Sequence, residues 1–198
     1  ITNGAINQGL STFEVAEWLN TKGAYPVSVV GEDNLVKPQN LGQYEQAAAE
    51  YRSAICYITD FSPDQFFRLA RAGLPFAFGS ATFYSGDTLD SNGMGVGNKM
   101  TTGAHSEACL GAYHVVNGTE YVYIQNSHGK NYCMDRTQKP QSGYWVTKKR
   151  SEVLCHTAQN YGHPYITFPR CKISKKLSLA TGMNLNFPKN AQEGKHDV

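Results

Sequence analysis

Apolar residues first recur at helical spacing just after Ser11 to Glu14, a capping-box pattern in which Ser and Glu side chains each accept from the other's backbone N–H. Val15, Ala16, Trp18 and Leu19 supply one apolar face and Gly23 a stop, so the pattern predicts a helix over Thr12 to Lys22. Tyr25 and Pro26 then turn the chain into an extended stretch, Val27 to Val30. Between Leu41 and Arg52 a short helix is predicted over Gln43 to Glu50, followed by a strand around Cys56 to Thr59. Ser62, Pro63 and Asp64 open another helix, with Pro at its first position and Asp at the positive end of its dipole. Phe66, Phe67, Leu69 and Ala70 form its apolar face and Gly73 closes it. Leu74 to Phe78 reads as a strand leading toward Phe83 and Tyr84, and Ser91 to Gly103 as a glycine-bearing loop.

Two β-rich runs, Ala108 to Val116 and Glu120 to Asn126, flank Asn117-Gly118, whose residues tolerate the positive φ of a tight hairpin turn. Gly143 to Thr147 is a further strand, and beyond about residue 170 the pattern gives way to a basic, polar tail. A few short helices with a majority of strands predict the α+β class. No internal repeat and no low-complexity tract divides the chain.

Composition narrows the function classes. Eighteen Lys+Arg against sixteen Asp+Glu leave a net charge of +2, too balanced for a dedicated nucleic-acid surface. No run of 18 apolar residues occurs, so no membrane span is expected. Ile1 to Leu10 lack the charged start and apolar stretch of a signal peptide, and the opening Ile suggests a processed chain or a start further upstream. The five cysteines, Cys56, Cys109, Cys133, Cys155 and Cys171, are odd in number and show no CxxC spacing, which argues against a zinc site. Two disulfides with a free thiol and a fully reduced chain both remain open. The glycines from Gly93 to Gly97 lack the strand and helix that a phosphate cradle needs, and the acceptor pattern at Asn117 to Thr119 is explained by the turn. No metal and no cofactor is expected; His114 and His128 read as structural or surface histidines.

His105 differs because of its surroundings. It stands at the mouth of the first hairpin strand, and the returning strand ends at Asn126. A hairpin sets its open ends side by side, so His105 and Asn126 are expected within hydrogen-bonding reach. An Asn oxygen accepting from one ring nitrogen would fix the imidazole and leave the other nitrogen to face a nucleophile. Ala104 and Ser106, both small, would leave a cleft open beside this base.

The stretch from Ala104 to Gly111, with Tyr121 to Gly129, resembles the His and Asn-Ser-Trp-Gly blocks of papain-like cysteine peptidases. Asn3-Gly4, the helix around Phe13 to Leu19 and Gly23 to Pro26 resemble an earlier passage of that family. Phe66 to Gly73, Leu74-Pro75 and Phe83 to Gly86 resemble a later one, and Gly143 to Val146 the strand after the Asn block. The resemblance implies a papain-like α+β fold, mostly its antiparallel, β-barrel-like half. Residues 1–30 would be a remnant of the helical half-domain, 31–170 the β-rich half-domain, and 171–198 the tail. It also implies His105 as catalytic base, Asn126 as its orienter, a cleft rim at His128, and a peptide or protein substrate.

The family's Cys precedes its His by about 130–150 residues, which would place the nucleophile about 25–45 residues before Ile1. The Cys-bearing helix and the oxyanion-hole Gln are thus expected from an upstream segment or a separate chain packing on residues 1–30. His128 stands where the family has a shielding Trp. Cys56 precedes His105 by 49 positions, a spacing similar to that of some cell-wall peptidases, but its apolar surroundings predict a buried thiol. Two readings follow: the base-bearing portion of a peptidase, or a scaffold of that fold without its chemistry. Under either, the apolar face of the first helix (Phe13, Trp18, Leu19) is expected to be exposed in this chain alone. The compartment is left open, with a secreted, lysosomal or particle-associated setting favoured over free cytosol.

Overall fold

Ser11 caps the first helix as its sequence predicts: its Oγ accepts from Glu14 N–H at 3.2 Å while its own N–H donates to Glu14 Oε2 at 2.8 Å. In the computed structural model, which describes residues 11–25, 44–85, 88–97, 99–127, 143–158, 164–169 and 185–186, this helix is α1 (Thr12–Thr21). It is followed by α2 (Glu45–Glu50), β1 (Ser53–Ile58), α3 (Pro63–Arg71), β2 (Phe76–Ser85), β3 (Thr88–Leu89) and β4 (Gly95–Val96). Then come β5 (Lys99–Val116), β6 (Thr119–Gln125), β7 (Gly143–Thr147), α4 (Lys148–Ala158), β8 (Tyr165–Pro169) and β9 (Leu185–Asn186). The stretch Val27 to Val30, His128 and most of the basic tail lie outside the described residues.

The strands form one sheet in the order β3-β4-β7-β6-β5-β2-β8-β1-β9. Every pairing is antiparallel except the single bridge between Val96 of β4 and Trp145 of β7. The class is therefore α+β, with a large, mostly antiparallel sheet and few helices. β5 and β6 form the expected hairpin, and Asn117 and Gly118 both take positive φ (49° and 78°) in its two-residue turn. That twist matches the strands on either side.

One face of the sheet carries the main core. Phe66, Phe67, Leu69 and Ala70 of α3 and Leu154, Cys155 and Ala158 of α4 pack against Cys56, Phe76, Phe78, Cys109, Val122, Ile124, Tyr144, Val146 and Ile166. On the other face, Val15, Ala16 and Leu19 of α1 pack against Ile55 and Tyr165. This corrects the expectation that the apolar face of α1 is bare. Leu19 is half-buried against β1 and β8, Trp18 is half-buried, and only Phe13 remains exposed, stacked on Tyr57 at 5.8 Å.

Several elements differ from the sequence pattern. The predicted loop over Ser91 to Gly103 contains β4 and the first turnless stretch of β5. Neither α4 nor β8 is announced by its residues. The buried positions of α4 are Ser151, Leu154, Cys155 and Ala158, a helical spacing carried by mostly small side chains. Lys148 of α4 forms an ion pair with Asp64 of α3.

Candidate functional site

A bulge sets the geometry of this site. From the turn inward, Tyr113 pairs with Val122, but beyond the bulge Cys109 pairs with Ile124 and Ala108 with Gln125. β5 thus carries two extra residues between those pairs. Gly111 lies in the bulge at φ +77, and a Cβ there would meet the Gly73 carbonyl carbon at 2.8 Å, so glycine is required on both counts. A shift of two keeps every side chain on its face but changes its partner. One step beyond the last pair, Glu107 lies across from Asn126, and His105 lies on the diagonal, which long side chains can span.

His105 Nε2 and Asn126 Oδ1 stand 3.0 Å apart. Asn126 is buried and its Oδ1 also accepts from the Ser127 N–H at 2.7 Å. An amide oxygen bears no proton, so the contact requires hydrogen on Nε2 and leaves Nδ1 as the nitrogen that can take a proton from a nucleophile. The Phe83 ring lies 4.8 Å from the imidazole, at 52° to it, and gives the base an apolar neighbour. His128, the residue in the family's Trp position, lies outside the described residues.

Glu107 was not singled out by its sequence, yet it is the most perturbed group at the site. Only 3% of its surface is exposed, and burial pushes its carboxyl up to about 8, partly offset by a hydrogen bond from Tyr144. The Tyr144 hydroxyl donates to its Oε1 at 2.6 Å, and Asn126 Nδ2 donates to the same oxygen at 3.2 Å. The available signal was its position two residues after His105: in a strand, that is the same face. Ser106 alternates with those residues, so its exposed side chain belongs to the opposite face of β5, and Ala104 is exposed at the irregularity where β5 pairs with β2.

The described thiols are poor nucleophiles. Cys56, Cys109 and Cys155 are free and buried, and desolvation pushes each thiol up to about 12. Cys109 shares the face of His105 but stands four residues on, about 13 Å along the strand. Cys56 lies in the same cross-strand row as Cys109 but three strands over, so it is about 14 Å sideways from His105 as well as about 13 Å along. Cys133 and Cys171 lie outside the described residues.

No known family model matches this chain, and no curated protein matches it. No helix among the described residues is long and apolar enough to cross a membrane.

Proposed function

We propose that this chain is the base-bearing, C-terminal portion of a papain-like cysteine peptidase, with the nucleophilic Cys supplied by an upstream segment or a separate chain. The observation that carries this reading is the His105–Asn126 contact at 3.0 Å, at the open end of an antiparallel hairpin. In this reading His105 Nδ1 takes the proton from the Cys thiol, and the thiolate attacks the carbonyl carbon of a peptide bond. Donors on the Cys-bearing segment hold the resulting oxyanion. As the intermediate collapses, the C–N bond breaks, the proton passes from Nδ1 to the departing amine, and a thioester remains. His105 then takes a proton from water, whose oxygen attacks the thioester and releases the acid and the thiol. Asn126 holds the ring throughout and stabilises the imidazolium.

The buried state of all three described thiols favours a second reading, an inactive scaffold of the same fold serving as a binding or assembly module. A thiol-reactive peptidyl electrophile applied to native source material, read by intact mass, separates the two. Label on a Cys of a co-purifying segment, lost in His105→Ala, supports the split peptidase. Label on Cys133 or Cys171 would place the nucleophile within this chain. No label, with the chain still held by partners, would establish the scaffold.

A further inference from the structure

An Asn side chain cannot by itself choose which end faces His105, because its oxygen and nitrogen ends have nearly the same size and exchange by a half-turn. The neighbours on its other side decide. At Asn126 that neighbour is Glu107 Oε1, which already accepts from the Tyr144 hydroxyl at 2.6 Å. The Tyr144 oxygen in turn accepts from the Tyr84 N–H at 3.4 Å, which leaves its own proton for Glu107. Two donors converge on Oε1, so in the neutral acid the proton sits on Oε2, and Oε1 is an acceptor in either protonation state. An acceptor in that place admits the Nδ2 end of Asn126 and repels the Oδ1 end.

We infer that Glu107 is a positioning residue for the His105–Asn126 pair: by accepting from Asn126 Nδ2 it turns Oδ1 toward His105 and pins the imidazole as its Nε2–H tautomer. The Ser127 N–H, at 2.7 Å from Oδ1, favours the same end, so Glu107 adds to a preference that this contact shares. Burying a carboxyl is otherwise a costly choice here. Among the described residues Glu107 Oε2 has no hydrogen-bond partner, and an apolar side chain would pack without that desolvation cost. The inference takes its purpose from the peptidase reading, since a fixed tautomer matters where Nδ1 must serve as base.

The test is ¹⁵N–¹H correlation spectroscopy of the histidine rings in the full chain, at about pH 8 where an ordinary imidazole is neutral. His105 is expected as Nε2–H in the wild type and in Glu107→Gln, whose amide oxygen reproduces the acceptor. In Glu107→Met, a near-isosteric apolar replacement, the Nε2–H to Nδ1–H ratio is expected to fall roughly fivefold, the worth of one ordinary hydrogen bond. A wild-type ring found as Nδ1–H, an unchanged ratio in a folded Met variant, or loss of the Nε2–H form in the Gln variant would each overturn the assignment. If the Met variant does not fold, Glu107→Leu is read in its place, with the same expected fall and the same overturning result. The readout needs no thiol, substrate or turnover, so a failed active-site label leaves it standing, and failure in either variant leaves the peptidase reading standing, whereas an Nδ1–H wild type would count against both.

Discussion

Glu107 is held where the water that would normally keep a carboxylate charged is excluded. Its neighbours on the packed face are the Tyr144 hydroxyl, the Asn126 amide, the Phe78 side of β2 and, two residues away, His105; among these only His105 can carry a compensating positive charge. Because its carboxyl titrates near 8 in the folded chain against an ordinary value of 4.5, the folded state keeps a proton that the unfolded state has released between those pH values. The stability this proton confers is fully present below about 4.5 and is lost as pH rises toward 8, with a slope of about 1.4 kcal/mol per pH unit. Urea denaturation at half-unit steps from acid to mildly alkaline pH is expected to show this decline in the wild type. Glu107→Gln, which has no proton to lose, should flatten it. A variant whose profile keeps the wild-type slope would mean that another group supplies it. The pairing of the two strands that carry His105 and Asn126 was legible in the sequence from the hairpin turn, but the register that brings the two side chains into contact was not. Nor was Glu107, since a carboxylate two residues from a histidine reads as an ordinary solvated strand position until the helices above it are placed.

Two elements decide whether those side chains meet: the Asn117-Gly118 turn and the bulge around Gly111. The turn sets the first pairs of the hairpin, and its sequence signal is among the strongest of any short motif. Without the bulge, the register set by the turn would place Cys109, not Glu107, across from Asn126, and would carry His105 away from it. Nothing in Leu110 to Tyr113 announces two extra residues; within the bulge the backbone of Gly111 lies close against that of Gly73, just past the end of α3, where a Cβ would not fit. Gly111→Ala is therefore expected to destabilise the chain by about 1–3 kcal/mol, through backbone strain and the clash with Gly73. Gly93→Ala, also at positive φ but with open space around it, should cost less, and thermal melts of the two variants compare them directly. An equal loss in both would show that the Gly73 contact carries no weight. The same limit explains α4: its buried stripe of Ser151, Leu154, Cys155 and Ala158 is helical in spacing but too small in apolar surface to stand out from the flanking charges.

At the scale of the whole molecule, α3 and α4 lie on one face of the sheet and α1 on the other, and the three described thiols sit within the main core. With each thiol titrating near 12, the thiolate fraction at pH 8 is on the order of one in ten thousand, and the sheet–helix interface shields the sulfur as well. Iodoacetamide at that pH is expected to leave Cys56, Cys109 and Cys155 unmodified in the folded chain and to alkylate them together once urea passes the unfolding midpoint, as read by peptide mass mapping. Early reaction at one of them would reveal local opening of the layer that covers it. Capping boxes, a Pro at a helix start, an Asn-Gly turn and apolar periodicity act within a few residues, and those local signals alone determined α1, α2, α3 and the central hairpin whose strands carry His105 and Asn126. The register that puts Glu107 behind Asn126 and His105 within reach of it, the docking of α1 on its own sheet, the recruitment of α4 and the burial of Cys109 and Cys155 were decided only by the tertiary structure. Each depends on which distant surfaces come together, and a side chain's solvation and partners are properties of that assembly, not of its neighbours in the chain.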